Sequence, residues 1–268
     1  MANFRIPGIM CGSRQPRSLE DGTLARCFSP PVGPVCASSP VFVEMCVAPP
    51  PAEPDLSFLF HQCLNPKRGL TERDFEEAAA SLEIEIAMIK AVAQVESPRG
   101  PFDHMGRPEI LFERHYFHRR TSGKYDKAHP DISNSAGGGY GKYSAQYGKL
   151  ERAYALDRDA ALRSASWGRF QIMGNNFAAA GFTSPAAFVL AMTKSEADHL
   201  KAFVNFVKAD KNMLAALRKR DWAGFAKRYN GAGYKKNQYD TKLADAYKKF
   251  STPPPVPGEK PSVPGALR

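Results

Sequence analysis

Two proline clusters decide where a core can form in this chain. APPPAEP (48–54) and STPPPVPGEKPSVPGALR (251–268) cannot continue a helix or a central strand, because each proline ring fixes φ and removes an amide donor. The first reads as a semi-rigid linker, the second as a disordered or polyproline-like tail. A packed domain therefore has to lie in residues 55–250.

Inside those bounds apolar side chains recur at helical spacing. Thr71, with Asp74 three positions on, predicts a capped helix whose stripe is Phe75, Ala78, Ala79 and Leu82. A second helix over 83–96 aligns Met88, Ile89, Val92 and Val95, and Pro98 ends it by pushing Ser97 out of the α region. A strand-like piece falls at Ile110-Leu111-Phe112, a Gly- and Ser-rich loop with GGGYG (137–141) follows, and 143–163 is helical again. Ser195 caps a helix carrying Leu200, Phe203, Val204 and Val207. Asp221 caps another, with Trp222, Phe225, Ala226 and Tyr229 at i, i+3, i+4 and i+7, stopped at Asn230-Gly231. A last helix sets Leu243, Tyr247 and Phe250 on one face. The expected fold is mainly α with a minor β element.

Residues 1–54 are rich in Pro, Cys, Gly and Ser, with one β-like run at Val41-Phe42-Val43, and make either a small cysteine-containing module or an extension serving docking or delivery. All five cysteines (Cys11, Cys27, Cys36, Cys46, Cys63) lie in the first quarter, in no zinc or CxxC spacing. Two disulfides with a leftover thiol and five free thiols both fit. The N-terminus has no apolar stretch after Arg5, which argues against a Sec signal, and no run reaches the roughly 20 apolar residues a membrane-spanning helix needs.

The net charge of +10 is concentrated in residues 194–250, which hold fourteen Lys or Arg against six Asp or Glu. Such a surface is either a solvated helical face or a patch for polyanions, including phosphorylated envelope polymers. No nucleic-acid-binding signature accompanies it, so nucleic acid is not expected as a partner.

Two short segments carry chemistry. In AMIKAVAQVESPRG (87–100), Glu96 continues the stripe of Ile89, Val92 and Ala93 at the end of its helix. Partial desolvation and the negative end of the helix dipole both raise a carboxyl pKa there, as a general acid requires. The alternative is a surface glutamate at a frayed end, paired with Arg99. In SASWGRFQIMG (164–174), Ser166 and Gln171 offer hydrogen-bonding groups, Trp167 and Phe170 offer sugar-stacking or core surface, and Gly168 allows close approach. In RYNGAGY (228–234), Tyr229 and Asn230 either reach a substrate or form a helix stop. His115 and His118 stand three apart but lack further ligand signatures, so no metal is expected. GGGYG is read as a flexible lid rather than a phosphate loop.

A helix-ending Glu-Ser, then Ser-x-Gly-x-x-Gln-Ile-Met, then Tyr-Asn-Gly, in that order, resembles the layout of the lysozyme-like superfamily. Residues 57–250 are similar to the N-acetylmuramidase domain of modular phage endolysins and bacterial lytic proteins, through VESPRGPFD (95–103), GRPEILFERHYFHRRT (106–121), SWGRFQIMG (166–174) and YNGAGYKKNQYDTKLADAYKKF (229–250). The resemblance implies a lysozyme-like helical fold and hydrolysis of the β-1,4 bond between N-acetylmuramic acid and N-acetylglucosamine in peptidoglycan, without a cofactor, by a monomer. It places Glu96 as catalytic acid and Ser166, Gln171 and Tyr229 along the sugar cleft; Trp167 and Asn230 join them as candidate binding residues.

For the second carboxylate the candidates are Asp103, Glu109 and Glu113, with Glu113 favoured over its alternative role as a salt-bridge partner of Arg114 or Arg119. Without a second carboxylate the same scaffold suits a lytic transglycosylase. A non-catalytic envelope-binding protein, or a membrane-disrupting one, is the rival from another class. Residues 1–54 do not resemble the peptidoglycan-binding domain that often precedes this domain. That leaves release by a holin, a virion or a secretion apparatus open as the route to the wall.

Overall fold

Capping side chains set the helix boundaries in the computed structural model, which describes residues 53–252. The expectations for residues 1–52 and for the tail beyond 252 lie outside these described residues. The helices are α1 (Phe58–His61), α2 (Glu72–Leu82), α3 (Ile86–Glu96), α4 (Arg114–Arg120), α5 (Gln146–Leu156), α6 (Arg158–Arg163), α7 (Pro185–Met192), α8 (Glu196–Ala209), α9 (Lys211–Arg218), α10 (Trp222–Tyr229) and α11 (Tyr239–Ser251). Three short strands complete the set: β1 (Ile110–Phe112), β2 (Ala165–Trp167) and β3 (Ile172–Met173). The domain is mainly α with a small antiparallel sheet, as the sequence implies.

Thr71 and Asp74 form a reciprocal capping box at the start of α2: the Asp74 amide donates to Thr71 Oγ1 at 3.2 Å and the Thr71 amide to Asp74 Oδ2 at 2.7 Å. Ser195 and Asp221 cap α8 and α10 as read from sequence. Other boundaries differ from the pattern reading. Glu83 adopts the left-handed region (φ 54°) and closes α2, so α3 starts at Ile86 rather than at 83. Asp157 ends α5 in an extended conformation and accepts from the Ala160 amide at 2.9 Å, breaking the 143–163 stretch into two helices. Asp210 does the same between α8 and α9. The pattern reading places no helix at α7 or α9. The first is apolar on nearly every side and so shows no stripe, whereas the second is amphipathic and buries Met213, Ala216 and Leu217.

The sheet order is β1-β2-β3, with Ile110 opposite Trp167 and Trp167 opposite Ile172. The SASWGRFQIMG run is thus a β-hairpin, where the sequence showed only a turn. Strands of two and three residues are too short to display alternation, and only pairing with β1 makes them strands. Gly168 (φ 69°) and Gln171 (φ 45°) bend the hairpin tip.

The core runs continuously beneath α3, the hairpin and α8. Phe170 stacks on Phe203 at 4.5 Å between ring centres, and Trp167, Phe112, Phe117, Phe188 and Phe225 are fully buried around them. α3 lies against α11, and α10 meets α11 and α9. This packing brings the C-terminal end of α3 next to the C-terminal end of α10.

Gly174, directly after β3, sits so close to the preceding helix that a β-carbon would fall 2.0 Å from the Leu162 carbonyl oxygen. Gly174→Ala is therefore expected to lower unfolding stability by about 1–3 kcal/mol or more, since backbone must move. Gly233→Ala, where a β-carbon meets nothing within 4 Å, is expected to be close to neutral. Denaturant midpoints of the two variants check the contrast.

Candidate active site

Glu96 is the last residue of α3, and its surroundings are apolar for reasons already visible in the helix. Ile89, Val92 and Ala93 behind it are buried in the core. From the end of α10, the Asn230 side-chain amide donates to Glu96 Oε1 at 2.8 Å. Burial pushes the Glu96 carboxyl up to about 7, against the opposing pull of the Asn230 hydrogen bond and the more distant charge of Lys242. Asn230 Oδ1 is buried without a hydrogen-bond partner among the described residues. Arg99 does not pair with Glu96; its guanidinium stacks 3.6 Å from the centre of the Tyr143 ring.

Glu113 stands at the junction of β1 and α4. Its amide donates to the Ser164 carbonyl at 2.8 Å, prolonging the β1–β2 pairing by one residue and fixing the direction of the side chain. The Tyr140 hydroxyl donates to Glu113 Oε1 at 3.1 Å, and His115 Nδ1 lies 3.1 Å from Oε2. Burial raises the Glu113 carboxyl, while Tyr140 and Arg119 draw it down. His115 is held toward its neutral form by burial and by Arg119 and Arg114. The salt bridges weighed for Glu113 are not formed: Arg114 donates to the carbonyls of Ala136 and Gly137, and Arg119 stacks on Tyr116.

The two carboxyl groups act on one phenol. Tyr239, the first residue of α11, is pushed up to about 12 by burial first, then by Glu96, with Tyr143, Tyr140 and Glu113 adding smaller effects. Glu96 and Glu113 are thus both close enough to Tyr239 to raise its pKa, and Tyr140 and Tyr143 are 37% and 49% exposed. None of these tyrosines shows in the sequence as a site residue, because each sits in a loop or at a helix start where periodicity carries no signal.

The GGGYG loop (137–141), expected as a lid, is bonded by side chains from the residues around it. Lys149 Nζ donates to the carbonyls of Gly139 and Tyr140, the Gln146 side-chain amide to those of Tyr140 and Lys142, and Arg114 lies where a β-carbon on Gly139 would be. These bonds hold Tyr140 over Glu113. The two histidines turn to different carboxylates, His115 toward Glu113 and His118 toward Asp126 at 2.7 Å.

Several residues expected along the cleft serve the scaffold instead. Trp167 is 1% exposed and its indole N–H donates to the Leu162 carbonyl, so it cannot stack on a sugar. Tyr229 packs against Phe203, Phe206 and Phe225 and gives its hydroxyl to the Phe170 carbonyl at 2.6 Å. It backs Glu96 with an apolar ring rather than reaching a substrate. Ser166 donates to Gln171 Oε1 at 2.7 Å, and the Gln171 amide donates to the carbonyls of Glu109 and Gly168, so the donors of both side chains are committed to the hairpin. Asp103 is locked by Arg107 and by the amides of Met105 and Arg107. Glu109 is half-buried, and burial raises its carboxyl.

A carboxyl whose burial keeps its proton to near neutral pH, with a second carboxylate near the same tyrosine, is the equipment of a glycoside hydrolase. Residues 85–251 match the family of N-acetylmuramidases, and the chain belongs to that family. A crystal structure of an endolysin from Burkholderia phage AP3 is similar at 44% identity with a TM-score of 0.63, over 70% of this chain and 72% of that one. No curated protein matches significantly. The protein is a peptidoglycan-cleaving glycoside hydrolase of the muramidase type.

Because the folded pKa of Glu96 is raised from 4.5 to about 7, its ionisation costs stability as pH climbs through that window. Glu96→Gln is expected to be more stable than wild type above pH 7, by up to about 3 kcal/mol at 1.36 kcal/mol per pKa unit. The gain is expected to vanish below pH 4.5. Paired urea melts at pH 4 and pH 8 check it.

Proposed function

We propose that Glu96 is the general acid of this muramidase and Glu113 the second carboxylate. The observation that carries the reading is the dry setting of Glu96, which keeps its proton available near pH 7. Protonated Glu96 gives its proton to the glycosidic oxygen leaving N-acetylmuramic acid. The Asn230 amide then stabilises the carboxylate that forms. Glu113, whose ionised form is favoured by the Tyr140 hydroxyl against the opposing effect of burial, faces the positive charge that develops at C1 and takes a proton from the attacking water. Tyr143 and Tyr239 offer aromatic faces to the sugar rings.

The similarity to a phage endolysin supports a lytic role at the cell wall. The basic surface adds to it: Lys219, Lys227 and Arg228 rim a cavity of about 540 Å³ between α9 and α10, suited to phosphorylated envelope polymers.

Mass spectrometry of fragments released from purified peptidoglycan tests the assignment. Wild type is expected to leave reducing N-acetylmuramic acid ends, and Glu96→Gln to be at least a hundredfold slower while folding normally. Full activity of Glu96→Gln would sink the proposal, and anhydromuramic ends would turn it into a transglycosylase. Wild-type kcat/KM is expected to fall above about pH 7 as Glu96 ionises. Tyr140→Phe removes a hydrogen bond that lowers the Glu113 pKa, so the acidic limb of the profile is expected to move to higher pH, leaving the alkaline limb in place.

A further inference from the structure

The loop that follows Glu96 has two sides. On one lies the cleft; on the other, a second cavity of about 650 Å³ opens against Ala93 and Gln94 of α3 and the Ser97–Gly100 turn. Its walls combine apolar groups, Leu70, Phe75 and Phe250, with the cationic groups of Lys90, Arg99 and Arg169. Lys90 is matched by Glu72 at 2.9 Å, and Arg169 by the buried Glu196 at 2.7 Å. Arg99 has no carboxylate within ion-pair distance among the described residues. It lines the cavity, and its guanidinium stacks on the Tyr143 ring. Lys249 reaches in from α11, donating to Gln94 Oε1 at 3.1 Å.

We infer that this cavity takes the carboxylate-bearing peptide attached to N-acetylmuramic acid, with Arg99 as the residue that receives its charge. The inference rests on the muramidase reading and deepens it. The bond that Glu96 breaks leaves C1 of the muramic unit, and the same unit carries its lactyl peptide on the oxygen of C3, two ring bonds away. A peptide departing there is within reach of the cavity beside the turn that follows Glu96. That peptide contains alanine methyl groups and free carboxylates, which the apolar and cationic walls complement. A cavity of a few hundred Å³ or more, mostly apolar with a few placed charges, is the common form of such a subsite. An exposed arginine without an acidic partner is a strong bidentate receptor for a carboxylate.

The test compares kcat/KM on soluble peptide-bearing glycan strands with that on the same strands stripped of peptide by an amidase. Wild type is expected to prefer the peptide-bearing strands by about tenfold, the worth of one charge-assisted contact. Arg99→Glu is expected to bring that ratio near one. Gln94→Glu, which puts a carboxylate on the cavity wall at an exposed helix position, is expected to lower it. Lys127→Glu, the same charge change as Arg99→Glu but outside the cavity, is expected to keep the wild-type ratio. A wild-type ratio near one, or an unchanged ratio in Arg99→Glu, would overturn the inference while cleavage of stripped strands upheld the muramidase reading. Failure of wild type to cut either substrate would overturn both.

Discussion

The hairpin tip at Gly168–Gln171 ties the small sheet to the helical core, and the site depends on that tie. Gly168 comes so close to α8 that a β-carbon would lie 2.7 Å from the His199 ring. The Arg169 amide donates to His199 Nδ1, which leaves Nε2 as the protonated nitrogen that donates to the Met192 carbonyl. Burial lowers the His199 pKa to about 4, so this neutral tautomer persists across the working range. Arg169 also grips Glu196, whose other oxygen accepts from the Gly69 amide. From the opposite side, the Glu109 carbonyl accepts from Gly168 and Gln171. One four-residue turn thereby joins β1, α8 and the segment before α2.

Both carboxyl groups inherit their placement from this framework. Phe170 in the turn accepts the Tyr229 hydroxyl, which anchors the end of α10 and so sets Asn230 against Glu96. The β1–β2 pairing extends to the Glu113 amide and turns that residue toward Tyr140. Two carboxyl groups raised by burial, yet bonded to different neutral donors, can differ in protonation at one pH, which acid catalysis requires. The donor groups of Ser166 and Gln171 are spent inside the hairpin, which fixes the position of the turn.

The charges divide along similar lines. Arg169, Arg107 and Arg114 are committed to carboxylates or carbonyls that hold loops. Arg99 and the lysines of α9 and α10 are exposed. Arg99 lines the neighbouring cavity, and its guanidinium lies on the Tyr143 ring.

Much of the architecture is legible in the sequence. The capping pairs Thr71–Asp74, Ser195–Asp198 and Asp221–Gly224, the apolar stripe of α3 and the stop after Tyr229 are local interactions, and local interactions are written in residue spacing. Glu96 is legible for the same reason, since its burial follows from its own helix face. The ordered motifs also point to the N-acetylmuramidase family. Spacing does not carry the hairpin pairing, the pinned 133–145 loop, the burial of Trp167, or the contacts of Asn230 with Glu96 and of Tyr140 with Glu113. These join residues separated by 134 and 27 positions, respectively. The amino-acid order determined which helices form and where a protonated carboxyl would sit. Only the tertiary structure decided what faces it, because partners from distant segments meet only once the core has packed.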